Sequence, residues 1–93
     1  MPIFMVERQF AEALELDADG ADGVNRINQD EDVSWLYSFL SADKRKTYCL
    51  YEAPSPEAIR RAASRAGIPA DRIVEMGHRL LPDASLAPVD QSS

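Results

Sequence analysis

The sequence holds one cysteine, one tryptophan and one histidine in 93 residues, and each scarcity closes off a class of function. A single cysteine excludes an internal disulfide, and a single histidine excludes a multi-histidine metal centre within one chain. Basic residues are also short, 10 against 16 acidic ones, and the net charge of −6 repels nucleic acid and anionic membranes alike. No apolar run approaches the roughly 20 residues of a membrane span. The opening Met1-Pro-Ile-Phe-Met-Val6 has no basic leader before Glu7 and Arg8 interrupt it, so the expected location is cytoplasmic. No nucleophile paired with a base, no metal-ligand cluster and no phosphate loop names a reaction.

What is present is globular: 45% hydrophobic residues in a chain of one-domain length. A domain this small buries only about 60–65% of the surface its unfolded chain exposes, which leaves room for a second subunit to add stability.

Pro2 to Phe10 is a β-rich apolar run broken by Glu7, Arg8 and Gln9, as expected of a strand whose far end reaches a wet edge or a cavity. After a connector from Ala11 to Leu16, Asp17 is placed to cap a helix over Ala18 to Asp30. Ala21, Val24 and Ile27 form its apolar stripe, although Gly20 and Gly23 weaken it by roughly 1 kcal/mol each. Val33 to Leu40 alternates as a second strand, Ser41 to Arg45 turns, and Lys46 to Ala53 returns as a third. Ser55, Pro56 and Glu57 start a second helix, its buried stripe made of Ala58, Ile59, Ala62, Ala63 and Ala66, and Gly67 with Pro69 ends it. Arg72 to Leu81 reads as the fourth strand.

This order predicts an α+β, ferredoxin-like βαββαβ sandwich over residues 1–81. Its four-stranded antiparallel sheet has the order 4-1-3-2 and carries both helices on one face. Residues 82–93, rich in Ser, Pro and Asp, are expected to be a flexible or partner-draped tail. If Leu40 pairs with Lys46, then Trp35 lies opposite Tyr51, Tyr37 opposite Cys49 and Phe39 opposite Thr47, all on one face. Assigned to the face without helices, these rings predict a homodimer packed sheet to sheet, a dimeric α/β barrel with a pocket between the sheets.

The runs Val6-Glu-Arg-Gln-Phe10, Val33-Ser-Trp-Leu-Tyr-Ser-Phe39, Asp43-Lys-Arg-Lys-Thr-Tyr-Cys-Leu-Tyr-Glu-Ala-Pro54 and Gly67-Ile-Pro-Ala-Asp-Arg72 resemble a small bacterial family. It is catalogued as domain of unknown function 4242, and its members are often labelled nickel-binding proteins. The resemblance covers about residues 2 to 77 and implies a ferredoxin-like fold, a dimer and nickel or another divalent metal as cofactor. Family members commonly read Trp-Leu-His-Ser-Tyr where this chain has Trp35-Leu-Tyr-Ser-Phe39. Tyr37 thus stands where the family has a histidine suited to nickel.

The expected ligand-binding residues are Trp35, Tyr37, Cys49 and Tyr51, with Asn28 and Glu7 as polar contributors; Cys49, Glu7 and Tyr37 are the candidate metal donors. Each has a plainer role to set beside this: Cys49 as a small core residue, the rings as interface core, and Asn28 as a solvated helix position. His78, near the end of the fourth strand, reads as a surface or interface residue. Glu7 and Glu75 form a conceivable carboxylate pair for acid–base work. The expected function is a small homodimeric binding protein for a small ligand or a divalent metal. The alternatives are a cofactor-independent enzyme of the monooxygenase or isomerase kind, by analogy of fold, and a purely structural dimer.

Overall fold

The computed structural model describes residues 1–89. β1 (Ile3–Gln9), α1 (Ala18–Asp30), β2 (Ser34–Leu40), β3 (Lys46–Glu52), α2 (Pro56–Ala66) and β4 (Arg72–Met76) follow in the expected βαββαβ order. The sheet runs β2-β3-β1-β4 with antiparallel neighbours, which is the expected order read from its other edge.

Local chemistry explains both helix starts. Asp17 Oδ1 accepts a hydrogen bond from the Gly20 backbone N–H at 2.8 Å, and Ser55 Oγ accepts one from that of Ala58 at 3.3 Å. Pro56 follows Ser55 in the first turn of α2, and Gly67 closes the helix in the left-handed region at φ 69°. The alanines of α2 let it lie close on the sheet. Ala58 and Ile59 pack with Phe4, Val6, Cys49, Tyr51 and Ala53 into the core, and Trp35, Ala70 and Ile73 pack against it. α1 sits further out: Asn28 is its one buried residue. The two helices are tied by Arg61 Nε to Glu31 Oε1 at 2.9 Å and by Arg65 to Glu31 and Asp30 at 3.2 and 3.1 Å.

The end of the chain departs from expectation. The fourth strand stops at Met76, and beyond Gly77 the segment β5 (His78–Leu80) pairs instead with β6 (Leu86–Pro88). The expected tail thus turns back as the second arm of a hairpin, and residues 90–93 lie outside the described residues.

The register between β2 and β3 also differs. Trp35 pairs with Tyr51 as expected, but a bulge at Leu36 shifts every later pair, so that Tyr37 meets Leu50, Ser38 meets Cys49 and Phe39 meets Tyr48. One extra residue sends each following side chain to the other face. Beside Cys49, on the helix side, stands the small Ser38 rather than a ring, and its Oγ accepts the Trp35 indole N–H at 2.8 Å. Tyr37 and Phe39 turn to the face without helices, edge to face with centroids 5.7 Å apart.

Candidate functional site

The expected aromatic group is therefore split between two surfaces. Trp35, Cys49 and Tyr51 point toward the helices, whereas Tyr37, Phe39 and Glu7 belong to the open face with Met5, Tyr48, Leu50 and Val74. A common inter-sheet pocket holding Trp35, Tyr37, Cys49 and Tyr51 is excluded by this register. Glu7 and Glu75 also fall on opposite faces, because Glu75 pairs with Phe4 on the helix side, and they form no carboxylate pair.

The helix-side residues line a cleft of about 810 Å³ between the sheet, α1 and the connector leading into it. The connector is held over it by backbone hydrogen bonds from Phe10 N–H to Arg45 C=O and from Leu14 N–H to Lys44 C=O, at 2.8 and 2.6 Å. Arg45 adds a third tie, donating from Nη2 to the Ala11 carbonyl at 2.7 Å. Leu16 folds back against Gly20, where a Cβ would stand 2.9 Å from its Cδ1. Leu14, Leu16, Val24 and Ile68 give the cleft apolar walls, with Trp35 and Tyr51 on the sheet side. Its size is that of a small-molecule site.

At the sheet end of the cleft two neighbouring polar side chains are buried. Arg8 and Thr47 pair across β1 and β3, at 3% and 5% exposure. Arg8 Nε and Nη1 and Thr47 Oγ1 have no hydrogen-bond partner among the described residues. The Arg8 guanidinium carbon stands 5.3 Å from the centre of the Tyr51 ring, whose quadrupole attracts the cation. A buried ion lacking a counter-charge costs on the order of several kcal/mol, and a guanidinium does not escape that cost by losing its proton. Burial pushes the Tyr51 phenol above its ordinary value of 10.0, while the positive charge of Arg8 pulls it back.

Arg8 and Thr47 were not singled out from the sequence. The readable signal was the alternation Phe4, Val6, Arg8, which puts the arginine on the same face as two core residues. Asn28 is buried at 4% exposure with its side-chain Nδ2 unpaired, but it does not line the cleft. Its carbonyl accepts from the Val33 N–H at 2.8 Å, which ties the end of α1 to β2. His78 is exposed on the hairpin.

The metal donors expected from sequence do not converge. Cys49 looks into the helix side while Glu7 and Tyr37 occupy the open face, and Glu7 is engaged by Lys46 Nζ at 3.2 Å. Among the described residues no three His, Cys, Asp or Glu side chains are grouped to hold an ion. The donors among the described residues of one chain do not fit nickel, which would require several nitrogen, sulfur or oxygen donors at one point. No helix among the described residues is long and apolar enough to cross a membrane.

Comparison with known proteins bears on this geometry. The family described as nickel responsive protein SCO4226-like matches residues 4–76. The crystal structure of SCO4226 from Streptomyces coelicolor A3(2) resembles this chain with a TM-score of 0.62 at 28% identity, covering 80% of this chain and 94% of that one. No curated protein sequence matches.

Proposed function

The chain belongs to the SCO4226-like family of nickel-responsive proteins, and on that premise we propose a homodimeric binding protein joined through its open sheet faces. The cleft between sheet and α1 is its small-molecule site, and no three donors among the described residues of one chain are grouped to hold a nickel ion.

The observation that carries this reading is the apolar character of the uncovered face. Tyr37, Phe39 and Val74 are 54%, 59% and 43% exposed, contiguous through the pairing with Tyr48, Leu50 and Met5. A continuous aromatic surface of this kind is characteristic of an interface. A second copy suits it because the face carries both signs of charge. Glu7 pairs with Arg72 on β4 and is joined by an ion pair to Lys46 of β3, so a two-fold arrangement can bring acidic groups of one copy to basic groups of the other. The Lys46 ammonium is already held above its ordinary range by its hydrogen bond to Glu7. A small domain also gains stability from the additional burial.

Sedimentation equilibrium tests the assembly. The wild type is expected at twice the 10.3 kDa chain mass, and Phe39→Asp at the mass of one chain with its circular dichroism unchanged. A wild type that stays at one chain mass throughout the accessible concentration range sinks the proposal.

A further inference from the structure

We infer that the cleft selects a small organic anion, a carboxylate with an apolar body, whose charged end is received by Arg8 and Thr47. This rests on the reading of the cleft as a ligand site and names the class of ligand.

Arg8 is 3% exposed, and every ion pair among the described residues is made by other basic groups. Its Nε and Nη1 are donors without acceptors, and Thr47 Oγ1 beside it on β3 is equally unpaired. Three unmatched polar atoms at one end of a cleft define a place for an oxyanion, because a carboxylate accepts from a guanidinium and a hydroxyl together. A neutral amide would satisfy one or two donors and leave the charge uncompensated.

Other charges face the cleft. Lys44 adds a second positive group, and Glu15 and Asp17 stand on the connector side. Asp17 is committed to capping α1 through Gly20, and neither acidic group lies within ion-pair distance of Arg8. The remainder of the lining is apolar, with Trp35 and Tyr51 offering ring faces and Val24 and Leu14 opposite them. A free inorganic anion would leave those walls uncovered. The lining therefore calls for a molecule that is anionic at one end and aryl or alkyl at the other.

The test is a matched panel: 4-phenylbutyrate, octanoate and benzoate, each beside its primary amide. Binding is followed by the fluorescence of Trp35, the sole tryptophan. At least one carboxylate is expected to bind saturably and about tenfold or more tightly than its amide, which is the loss of one charge-assisted contact. Arg8→Met and Thr47→Val are each expected to weaken the carboxylate more than the amide, so that the preference for the acid shrinks. Inorganic phosphate is the third arm, and competition by phosphate at equal concentration would show a site for the anion alone and overturn the apolar half of the inference. Amides that bind as well as carboxylates would overturn the anion assignment while leaving a small-molecule site in place. No response to any compound would overturn both. If Arg8→Met does not fold, the comparison of acid with amide on the wild type decides.

Discussion

Glu31 closes α1, where a carboxylate meets the negative end of the helix dipole, and two arginines of α2 offset that placement. The hydrogen bond from Arg61, and then that from Arg65, hold its carboxyl below the ordinary value of 4.5. The folded chain thus keeps Glu31 ionised where the unfolded chain takes up a proton. Its contribution is complete above 4.5 and disappears as the pH falls through the lower folded value. Glu31→Gln is therefore expected to narrow the gap between urea midpoints measured near neutrality and at about pH 3; an unchanged gap would contradict the assignment. Tyr51 works in the opposite direction. Burial raises its phenol, so its contribution is complete below 10.0 and is lost as the pH rises through the folded value. Tyr51→Phe is expected to flatten the alkaline decline in stability, read from the same midpoints. At this scale the sequence was legible where the chemistry is local, as at Asp17, Ser55 and Gly67. It was not legible at Arg8, because whether a buried cation has a partner depends on residues far away in the chain.

The bulge in β2 is the element-scale event that decides which surface each aromatic serves. Alternation along Val33 to Leu40 was plain in the sequence, but an extra residue at Leu36 leaves the alternation of types untouched while inverting its meaning. Trp35 therefore kept its predicted partner Tyr51, and Tyr37 lost Cys49 to Ser38. Deleting Leu36 would remove the extra residue and restore unbroken pairing, while Tyr37 stays opposite Leu50 and Phe39 opposite Tyr48 on the open face. That variant is therefore expected to sediment as two chains, as the wild type does. Sedimentation as one chain with its circular dichroism unchanged would contradict the role given to the open face. The same division of faces bears on the metal. Nickel titration by calorimetry is expected to give the same isotherm for wild type and Cys49→Ala, because the thiol faces away from Glu7 and Tyr37. A tenfold weakening in the variant would place Cys49 among the ligands after all.

For the whole molecule, the strand order and the placement of both helices followed from periodicity, since four strands and two capped helices in this order admit few right-handed connections. The hairpin at the end did not follow, because Gly77 and the turn before Leu86 interrupt a run whose apolar spacing looked continuous. Leu80 and Leu86 stand 72% and 63% exposed there, adding apolar surface beyond the sheet. The chain carries a net charge of −6, so association in the proposed dimer works against like charge, and added salt is expected to tighten it by screening. The measurement that bears most directly on the assembly is proton NMR with a soluble gadolinium chelate, which broadens whatever side chains solvent reaches. The rings of Tyr37, Phe39 and Tyr48 are expected to stay sharp at dimer concentrations while Arg60 on the outer side of α2 broadens. Broadening of all three rings to the same extent as Arg60 would show an open face exposed to water and contradict the dimer.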